Sequence, residues 1–362
     1  MGASPTTSCP STGAPAIRIL LTHPYGWPYV RRGAEREVHE LAGRLVAAGQ
    51  DARVLTGSPH SLTRAGLVAG ARVRYVRAPR LPSWPEPGPG FGAVALAGSL
   101  VCRPDVVHCL HYADAYGAVR GRAPVVLKLT GTVLPDRIEG LDARMLMSSL
   151  QRAREVWVNS AWAAEQMAGF GAQLRVVPAG LDTSRFTPGV RARHPLVVCA
   201  AAGDEPRKRV ADLLAAWPAV LAQLPEAELV LAGASPRADL PPGVRVVGVL
   251  DDLALPALYA GAWAVVAPAV YEAFGLVTLE ALASGTPVAG VRSGNTTALL
   301  SAPGTGTLAA PFDPASLAEG IVAAALLSQD PATAERCRAV ALAYDWDRVV
   351  PQVLEGYQRV LS

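Results

Sequence analysis

The chain has 362 residues, 51% of them apolar and 17% charged, so it is long enough for about two domains and too apolar to be disordered throughout. Its net charge of +3 is unevenly divided: residues 1–188 hold 21 Lys and Arg against 13 Asp and Glu, whereas residues 189–362 hold 12 against 17. A basic half suits an anionic partner, such as a phosphorylated acceptor, a membrane surface or the other domain, and equally a merely solvated surface. We expect no nucleic-acid partner.

Cysteine usage and the N-terminal segment bear on the compartment. The five cysteines are odd in number and show no CxxC spacing, which argues against a disulfide framework and a zinc site and favours a reducing compartment. Residues 1–16 lack the basic and apolar regions of a signal peptide, and we predict a disordered tail there. We expect a cytoplasmic protein whose basic half would allow peripheral contact with the inner face of a membrane.

The first half alternates between strand-like and helix-like patterns. A short apolar run at 17–21, a helical pattern at 33–49 and a second apolar run at 52–56 predict a strand–helix–strand unit. Residues 79–90 are crowded with Pro and Gly and predict a loop. Further short strands are predicted at 73–76, 105–108, 125–129, 155–159 and 174–177.

The same alternation restarts after a Pro-, Gly- and Arg-rich stretch at 188–194, which we interpret as a linker. Strands are predicted at 196–200, 227–232, 244–249, 264–267 and 287–291, and helices at 210–224, 253–261 and 276–284. The sequence therefore predicts an α/β protein with two Rossmann-like, doubly wound domains. Their predicted bounds are 17–188 and 189–343, followed by a C-terminal helix over 344–362.

One stretch, residues 268–294, combines two carboxylates with a helix start. Glu272 precedes Gly275 in a predicted loop, and Glu280 lies eight positions later on the predicted helix that begins near Leu276. The free N–H groups of that helix start would bind an anion such as a diphosphate, and Gly275 would let the backbone approach it. A nucleotide sugar has the matching shape of sugar, diphosphate and ribose.

The string around these residues resembles the donor-site signature of retaining glycosyltransferases of family 4. It has the pattern E-x7-E, with FG after the first Glu and LEA…GTPV around the second. The resemblance implies the GT-B fold, in which two Rossmann-like domains face a cleft and a C-terminal helix crosses back to the N-terminal domain. It also implies that Glu272 contacts the sugar and Glu280 the ribose. The implied phosphate-binding backbone is that of Phe274, Gly275, Leu276 and Val277.

Other segments extend the resemblance over most of the chain. Residues 176–188 are similar to the family's interdomain segment, and residues 344–346 to the start of its crossing helix. Residues 32–36 are similar to its N-terminal Gly-Gly-Ala-Glu-Arg loop, which makes Gly33 a candidate donor-binding residue. This chain has Arg32 where the family has its first Gly.

A basic loop follows the first strand of the second half. Ligands of doubly wound sheets bind at the edge where this loop lies, and cations there suit a diphosphate whose charge grows as the sugar departs. The family carries an Arg and, five residues later, a Lys: Lys208 matches the Lys, Gly203 falls at the Arg position, and Arg207 is the substitute candidate. The alternative is a solvated basic turn.

Two histidines follow a strand of the first half. The family places a His near the sugar, and we assign that role to His111, whereas His108 fits a structural residue at a strand end. Thr130 stands where the family often has another His. The resemblance thus makes Glu272, Lys208 and His111 the candidate catalytic residues.

We expect no cofactor other than the nucleotide-sugar substrate, and no metal. Asp345 and Asp347 spell a DxD motif, but they begin the predicted C-terminal helix, where Asp is a favoured cap. The resemblance implies a retaining transfer, and a front-face reaction fits best because the sequence shows no candidate covalent nucleophile. We expect a metal-independent transfer of a hexose-type sugar from a nucleotide-diphosphate donor to a small natural product or to a cell-envelope glycan or lipid. Two alternatives stay open: a GT-B epimerase that hydrolyses the nucleotide sugar, and a non-catalytic nucleotide-sugar-binding subunit.

Overall fold

The computed structural model describes residues 15–60, 63–78, 88–131, 133–200, 205–233 and 239–362. The predicted disordered tail lies almost wholly outside the described residues, as do Gly203 and most of the predicted loop at 79–90.

Eight strands of the first half form one sheet in the order β3–β4–β2–β1–β5–β6–β7–β8. They are β1 (Arg18–His23), β2 (Asp51–Gly57), β3 (Arg64–Val68), β4 (Ala71–Val76), β5 (Val106–Cys109), β6 (Val125–Leu129), β7 (Glu155–Val158) and β8 (Leu174–Val176). All neighbours are parallel except β3 and β4, which pair as an antiparallel hairpin at the sheet edge. The strand order reverses between β1 and β5, which creates a crevice at their carboxyl ends.

Six strands of the second half form a fully parallel sheet in the order β11–β10–β9–β12–β13–β14. They are β9 (Leu196–Ala200), β10 (Glu228–Ala232), β11 (Val244–Gly248), β12 (Ala264–Ala267), β13 (Val288–Val291) and β14 (Gly306–Ala309). Its order reverses between β9 and β12, so this sheet also has a crevice at its carboxyl edge. The two sheets confirm the predicted pair of doubly wound units.

Helices cover the faces of both sheets. They are α1 (Gly33–Ala47), α2 (Gly88–Cys102), α3 (Tyr112–Ala118), α4 (Gly140–Arg152), α5 (Ala161–Met167), α6 (Val210–Gln223), α7 (Ala254–Gly261), α8 (Leu276–Ala283), α9 (Thr296–Leu299), α10 (Pro314–Leu327), α11 (Thr333–Leu342) and α12 (Trp346–Leu361). Three further turns, Pro135–Arg137, Ala168–Phe170 and Pro206–Lys208, are 3₁₀ helices. Among the described residues, no helix combines the length and apolar character needed to cross a membrane.

The loop prediction at 79–90 is wrong at its C-terminal end, because α2 already begins at Gly88. Gly88, Pro89 and Gly90, three of the residues that suggested a loop, occupy the first turn of this helix, where Pro and Gly disturb few hydrogen bonds. Helix α2 lies against α3, and the close approach depends on glycine: a Cβ on Gly117 would lie 1.8 Å from the Gly92 carbonyl oxygen.

The C-terminal helix returns to the first domain, as predicted. The side chains of Trp346, Val353 and Tyr357 are buried in the same core as Ile19 and Leu21 of β1. Asp345 caps the helix, since its carboxylate accepts a hydrogen bond of 2.9 Å from the Asp347 N–H. The capping role predicted for the DxD segment is therefore confirmed.

The chain crosses between the domains twice, and the two crossings are bonded to each other. The Leu181 N–H donates to the Tyr344 carbonyl at 2.8 Å, and the Trp346 N–H donates to the Leu181 carbonyl at 3.2 Å. The first crossing also carries Ala179, Leu181 and Phe186, which pack in the core of the second domain. The first domain therefore ends before the predicted boundary at 188, because these apolar side chains belong to the core of the second domain.

Gly180 lies against the Trp346 ring, so a larger residue at position 180 tests whether the double crossing can rearrange. A Cβ at position 180 would lie 2.1 Å from the indole, whose Nε1 is fixed by a 3.1 Å hydrogen bond to Glu40. We expect Gly180→Ala to lower the free energy of unfolding by about 1–3 kcal/mol, the usual cost of overpacking. Thermal melts of both proteins measure it. Gly169→Ala is the matched control because no heavy atom lies within 4 Å of its new Cβ, and an equal loss in both variants would contradict the argument.

Candidate functional site

A cleft of about 860 Å³ lies between the two sheets at their carboxyl edges. Both topological crevices open into it: His23 ends β1 on one wall, and Ala200 and Ala267 end β9 and β12 on the other. A space of this size is typical of small-molecule sites, and doubly wound folds bind their ligands at this edge.

The N-terminus of α8 lines the cleft through Gly275, Leu276 and Val277. Gly275 directly precedes the helix and has φ +95°, a left-handed conformation that favours glycine. The Ser160 hydroxyl, from the first domain, donates to the Ala273 carbonyl at 2.6 Å, and the Asn295 amide donates to the Phe274 carbonyl at 2.8 Å. The carbonyls of this loop are thus bonded elsewhere, and the N–H end of α8 faces the cleft, as predicted for an anion site.

The start of α1 meets the start of α8 across the cleft. A Cβ on Gly33 would lie only 2.6 Å from Cδ1 of Leu276, so glycine permits the approach of the two domains at this point. Gly33, Leu276 and Val277 all line the cleft. The structure therefore brings the candidate residue from the first half directly against the candidate phosphate-binding segment of the second.

Glu272 forms ion pairs with both candidate cations. Its carboxylate lies 3.0 Å from Nη1 of Arg207 and 3.2 Å from Nζ of Lys208. Burial acts to raise the pKa of the Glu272 carboxyl, but Lys208 and Arg207 outweigh burial and hold the pKa below its ordinary value. The group is therefore ionised at neutral pH. The basic loop is not a freely solvated turn, because two of its side chains are tied to the opposite edge of the crevice.

Glu280 is the most buried carboxyl group of the predicted donor site. Its side chain is on α8, where the Tyr259 hydroxyl donates to it at 3.3 Å. Burial raises the pKa of Glu280 to about 7, although the nearby Arg36 guanidinium from α1 lowers it. Glu280 can therefore either accept or donate a hydrogen bond near neutral pH, which suits a contact to a ligand hydroxyl.

On the wall of the first domain, His111 lines the cleft and also caps α3. Its Nδ1 accepts a hydrogen bond of 3.2 Å from the Ala113 N–H, so the neutral ring carries its proton on Nε2. The ring stacks on Tyr112 and lies edge-on to His23, with centroids 4.4 and 6.1 Å apart. Burial, with a smaller contribution from His111, lowers the pKa of His23 to about 3.

His108 is a structural residue, as the strand-end position indicated. It is fully buried, its Nδ1 lies 2.7 Å from the Tyr357 hydroxyl of α12, and its ring contacts Trp157. It therefore links the returning helix to the sheet and does not face a ligand.

Three groups near the cleft were missed by sequence reasoning. Lys128 and Glu37 form a buried ion pair of 2.5 Å at the cleft wall, and Glu35 is buried with one carboxylate oxygen that has no partner among the described residues. A single lysine within the apolar strand VVLKL was a usable signal for Lys128, because a buried charge requires a partner. Nothing in the local pattern distinguished Glu35 from a solvated helix residue.

No group of three or more His, Cys, Asp or Glu side chains with metal-binding geometry occurs among the residues that the structure describes. The metal independence predicted from sequence stays a prediction.

Two family models together match most of the chain. One, described as glycosyltransferase family 4, matches residues 31–185, and the other, described as glycosyl transferases group 1, matches residues 194–326. A phosphatidyl-myo-inositol mannosyltransferase of Propionibacterium freudenreichii is 32% identical over 236 residues, which cover 64% of this chain and 60% of that protein. A glycogen synthase of Mycobacterium tuberculosis is 28% identical over 394 residues, with 94% of each chain covered.

Solved structures show the same architecture. The sucrose-phosphate synthase of Thermosynechococcus elongatus superposes with a TM-score of 0.79 at 22% identity, over 94% of this chain and 98% of that one. Anabaena HepE, solved in complex with UDP and glucose, superposes with a TM-score of 0.75 at 20% identity, over 95% of this chain and all of that one. At these identities the likeness establishes the fold.

The raised pKa of Glu280 predicts a pH-dependent effect of its substitution. Above pH 7 the Glu280 carboxyl is ionised in both the folded and the unfolded chain, and its burial lowers the free energy of unfolding. This loss of stability disappears as the pH falls below about 4.5, the ordinary pKa of the group in the unfolded chain. We expect Glu280→Gln to stabilise the ligand-free chain at pH 8 by about 1–3 kcal/mol more than at pH 5. Denaturant unfolding at both pH values measures it. Glu319→Gln, at an exposed position of α10, is the control, and a pH-independent effect at position 280 would contradict the argument.

Proposed function

Because this chain belongs to glycosyltransferase family 4, we propose that it moves a hexose-type sugar from a nucleotide diphosphate donor to an acceptor hydroxyl. The transfer retains the anomeric configuration of the donor and needs no divalent metal. The acceptor is a small natural product or a cell-envelope glycan or lipid, classes consistent with relatives named for acting on phosphatidyl-myo-inositol and glycogen.

The observation that carries the proposal is the convergence of Arg207, Lys208 and the α8 N-terminus on one side of the cleft. These groups offer two cations and free backbone N–H donors to a diphosphate without a metal ion. The Glu272 carboxylate lies between the two cations. A bound diphosphate would take over these pairings and release Glu272 to accept hydrogen bonds from the sugar.

The charges fit a front-face reaction. The acceptor oxygen bonds to the anomeric carbon as the bond to the diphosphate breaks, and the departing diphosphate takes the acceptor proton. Lys208, Arg207 and the α8 N-terminus stabilise the charge that develops on the leaving group. Glu280 holds the ribose, and the Nε2–H of His111 donates to a sugar hydroxyl.

A donor screen tests the function directly. We expect one of the UDP-, GDP- or dTDP-sugars to raise the melting temperature of the chain by mass action, and to release its nucleoside diphosphate only when an acceptor is present. NMR of the product should show the anomeric configuration of the donor, with activity retained in excess chelator. Sugar release without any acceptor would favour a hydrolysing epimerase, and binding without turnover would favour a non-catalytic subunit. Activity that requires added magnesium or manganese would contradict the metal-independent mechanism.

The ion pairs of Glu272 predict opposite effects on binding and on turnover. We expect Glu272→Gln to lower turnover about a hundredfold or more, because the sugar loses a charged acceptor of its hydrogen bonds. The same variant should bind the free nucleoside diphosphate at least as tightly as the parent, since Arg207 and Lys208 no longer hold a competing carboxylate. Calorimetry with the diphosphate and steady-state kinetics measure the two effects.

Two further variants serve as a control and as a comparison for Glu272→Gln. Glu205→Gln is the matched control, because Glu205 pairs with Arg207 at 2.9 Å but has no predicted contact with the sugar. Lys208→Ala should instead weaken diphosphate binding about ten- to a hundredfold, the usual loss for a charge-assisted hydrogen bond. An unchanged turnover in Glu272→Gln would remove this residue from the mechanism.

A further inference from the structure

The first-domain wall of the cleft carries an aromatic platform that follows β1. Tyr25 and Trp27 both line the cleft, and their loop is fixed against the end of β2. The Thr56 hydroxyl donates to the Tyr25 carbonyl at 2.9 Å, and a Cβ on Gly26 would lie 2.3 Å from the Gly57 carbonyl oxygen. The two rings are thus held on a preorganised backbone, which suits recognition of the apolar face of a sugar ring.

Two adjacent arginines lie over this platform and are exposed. The Arg31 guanidinium is 5.9 Å from the Trp27 ring centroid, and that of Arg32 is 5.1 Å from the Tyr25 centroid. In the described part of the chain, Arg31 has no carboxylate within 4.0 Å, and Arg32 has a 3.3 Å pair with Glu35. Arg36, one turn further along α1, is by contrast bonded to carboxylates on both sides of the cleft. The wall therefore presents two adjacent cations, of which Arg31 has no ionic partner among the residues that the structure describes.

Glu35 adds a polar group that lacks part of its hydrogen bonding. Its side chain is 2% exposed, it lines the cleft, and one of its carboxylate oxygens has no partner among the described residues. Burial raises the pKa of this carboxyl, and Arg32 acts in the opposite direction. A buried oxygen without a partner is costly unless something completes its hydrogen bonding, and the hydroxyl of a ligand in the cleft would do so.

We propose that this wall selects an acceptor that is a sugar or polyol carrying a phosphate group. The phosphate pairs with Arg31 and Arg32, the carbon face of the acceptor lies on Trp27 and Tyr25, and a hydroxyl bonds to Glu35. Two neighbouring guanidinium groups match the near-double charge of a phosphate monoester better than the single charge of a carboxylate. This inference rests on the proposed function, because it names the acceptor class of the same cleft.

The test compares phosphorylated with neutral ligands in matched variants of the full chain. Calorimetry would measure binding of glucose 6-phosphate, glycerol 3-phosphate, glucose and glucuronate in the presence of UDP. We expect Arg31→Ala to weaken binding of the phosphorylated probes about tenfold while leaving glucose unchanged, and Arg31→Lys to restore part of the loss. Arg154→Ala is the matched control, an exposed arginine next to the amino end of β7 and away from the cleft.

The source of the phosphate is resolved by a second arm. In this experiment, vesicles of phosphatidylglycerol or of phosphatidylcholine replace the soluble probes. Arg31-dependent binding to the phosphatidylglycerol vesicles but not to the phosphatidylcholine vesicles would assign the phosphate to a lipid headgroup and support the inference. Glucuronate binding tighter than glucose 6-phosphate, equal binding of glucose and its phosphate, or an unchanged Arg31→Ala would each overturn it. A chain that turns over no nucleotide sugar but shows Arg31-dependent phosphate binding would instead refute the proposed function.

Discussion

The double crossing between the domains is the constraint on which the cleft depends. Each wall is built on its own sheet and its own core, so their relation is set by the few residues where the chain passes from one to the other. Leu181 bonds through its backbone to both Tyr344 and Trp346, which ties the outgoing and returning segments together. Gly180 allows the indole of Trp346 to lie against that junction. The N-termini of α1 and α8 consequently meet at a defined place.

The charged side chains of the cleft compensate one another through ion pairs. Arg207 and Lys208 hold Glu272, and Arg36 from the first domain pairs with Asp252 of the second. Isolated cations in a half-buried cleft would be costly, and internal pairing avoids that cost. Under the proposed function, a diphosphate would replace the Glu272 carboxylate as the anion between these two basic side chains. Donor binding would then be an exchange of partners that makes Glu272 available to the sugar.

The two walls divide recognition between them. The second domain contributes a helix terminus and two cations, to which the proposed function assigns the diphosphate. The first contributes aromatic rings, exposed arginines and a buried carboxylate, to which the further inference assigns the acceptor. Loops after parallel strands vary freely on a fixed scaffold, and Arg32, a departure from the family pattern, lies on the first-domain wall.

The sequence by itself determined the two α/β units, the helix start at Leu276 and the cap at Asp345, because these depend on local periodicity, glycine and capping chemistry. It located Glu272, Lys208 and Arg207 as candidates but not their mutual ion pairs, since the residues are 64 and 65 positions apart. Only the tertiary structure decided that α2 begins inside a Pro- and Gly-rich stretch, that His108 is buried against α12 and that one oxygen of Glu35 has no partner within the described part of the chain. Each of these depends on which distant segments pack together, and burial and pairing across hundreds of residues leave no local pattern in the chain.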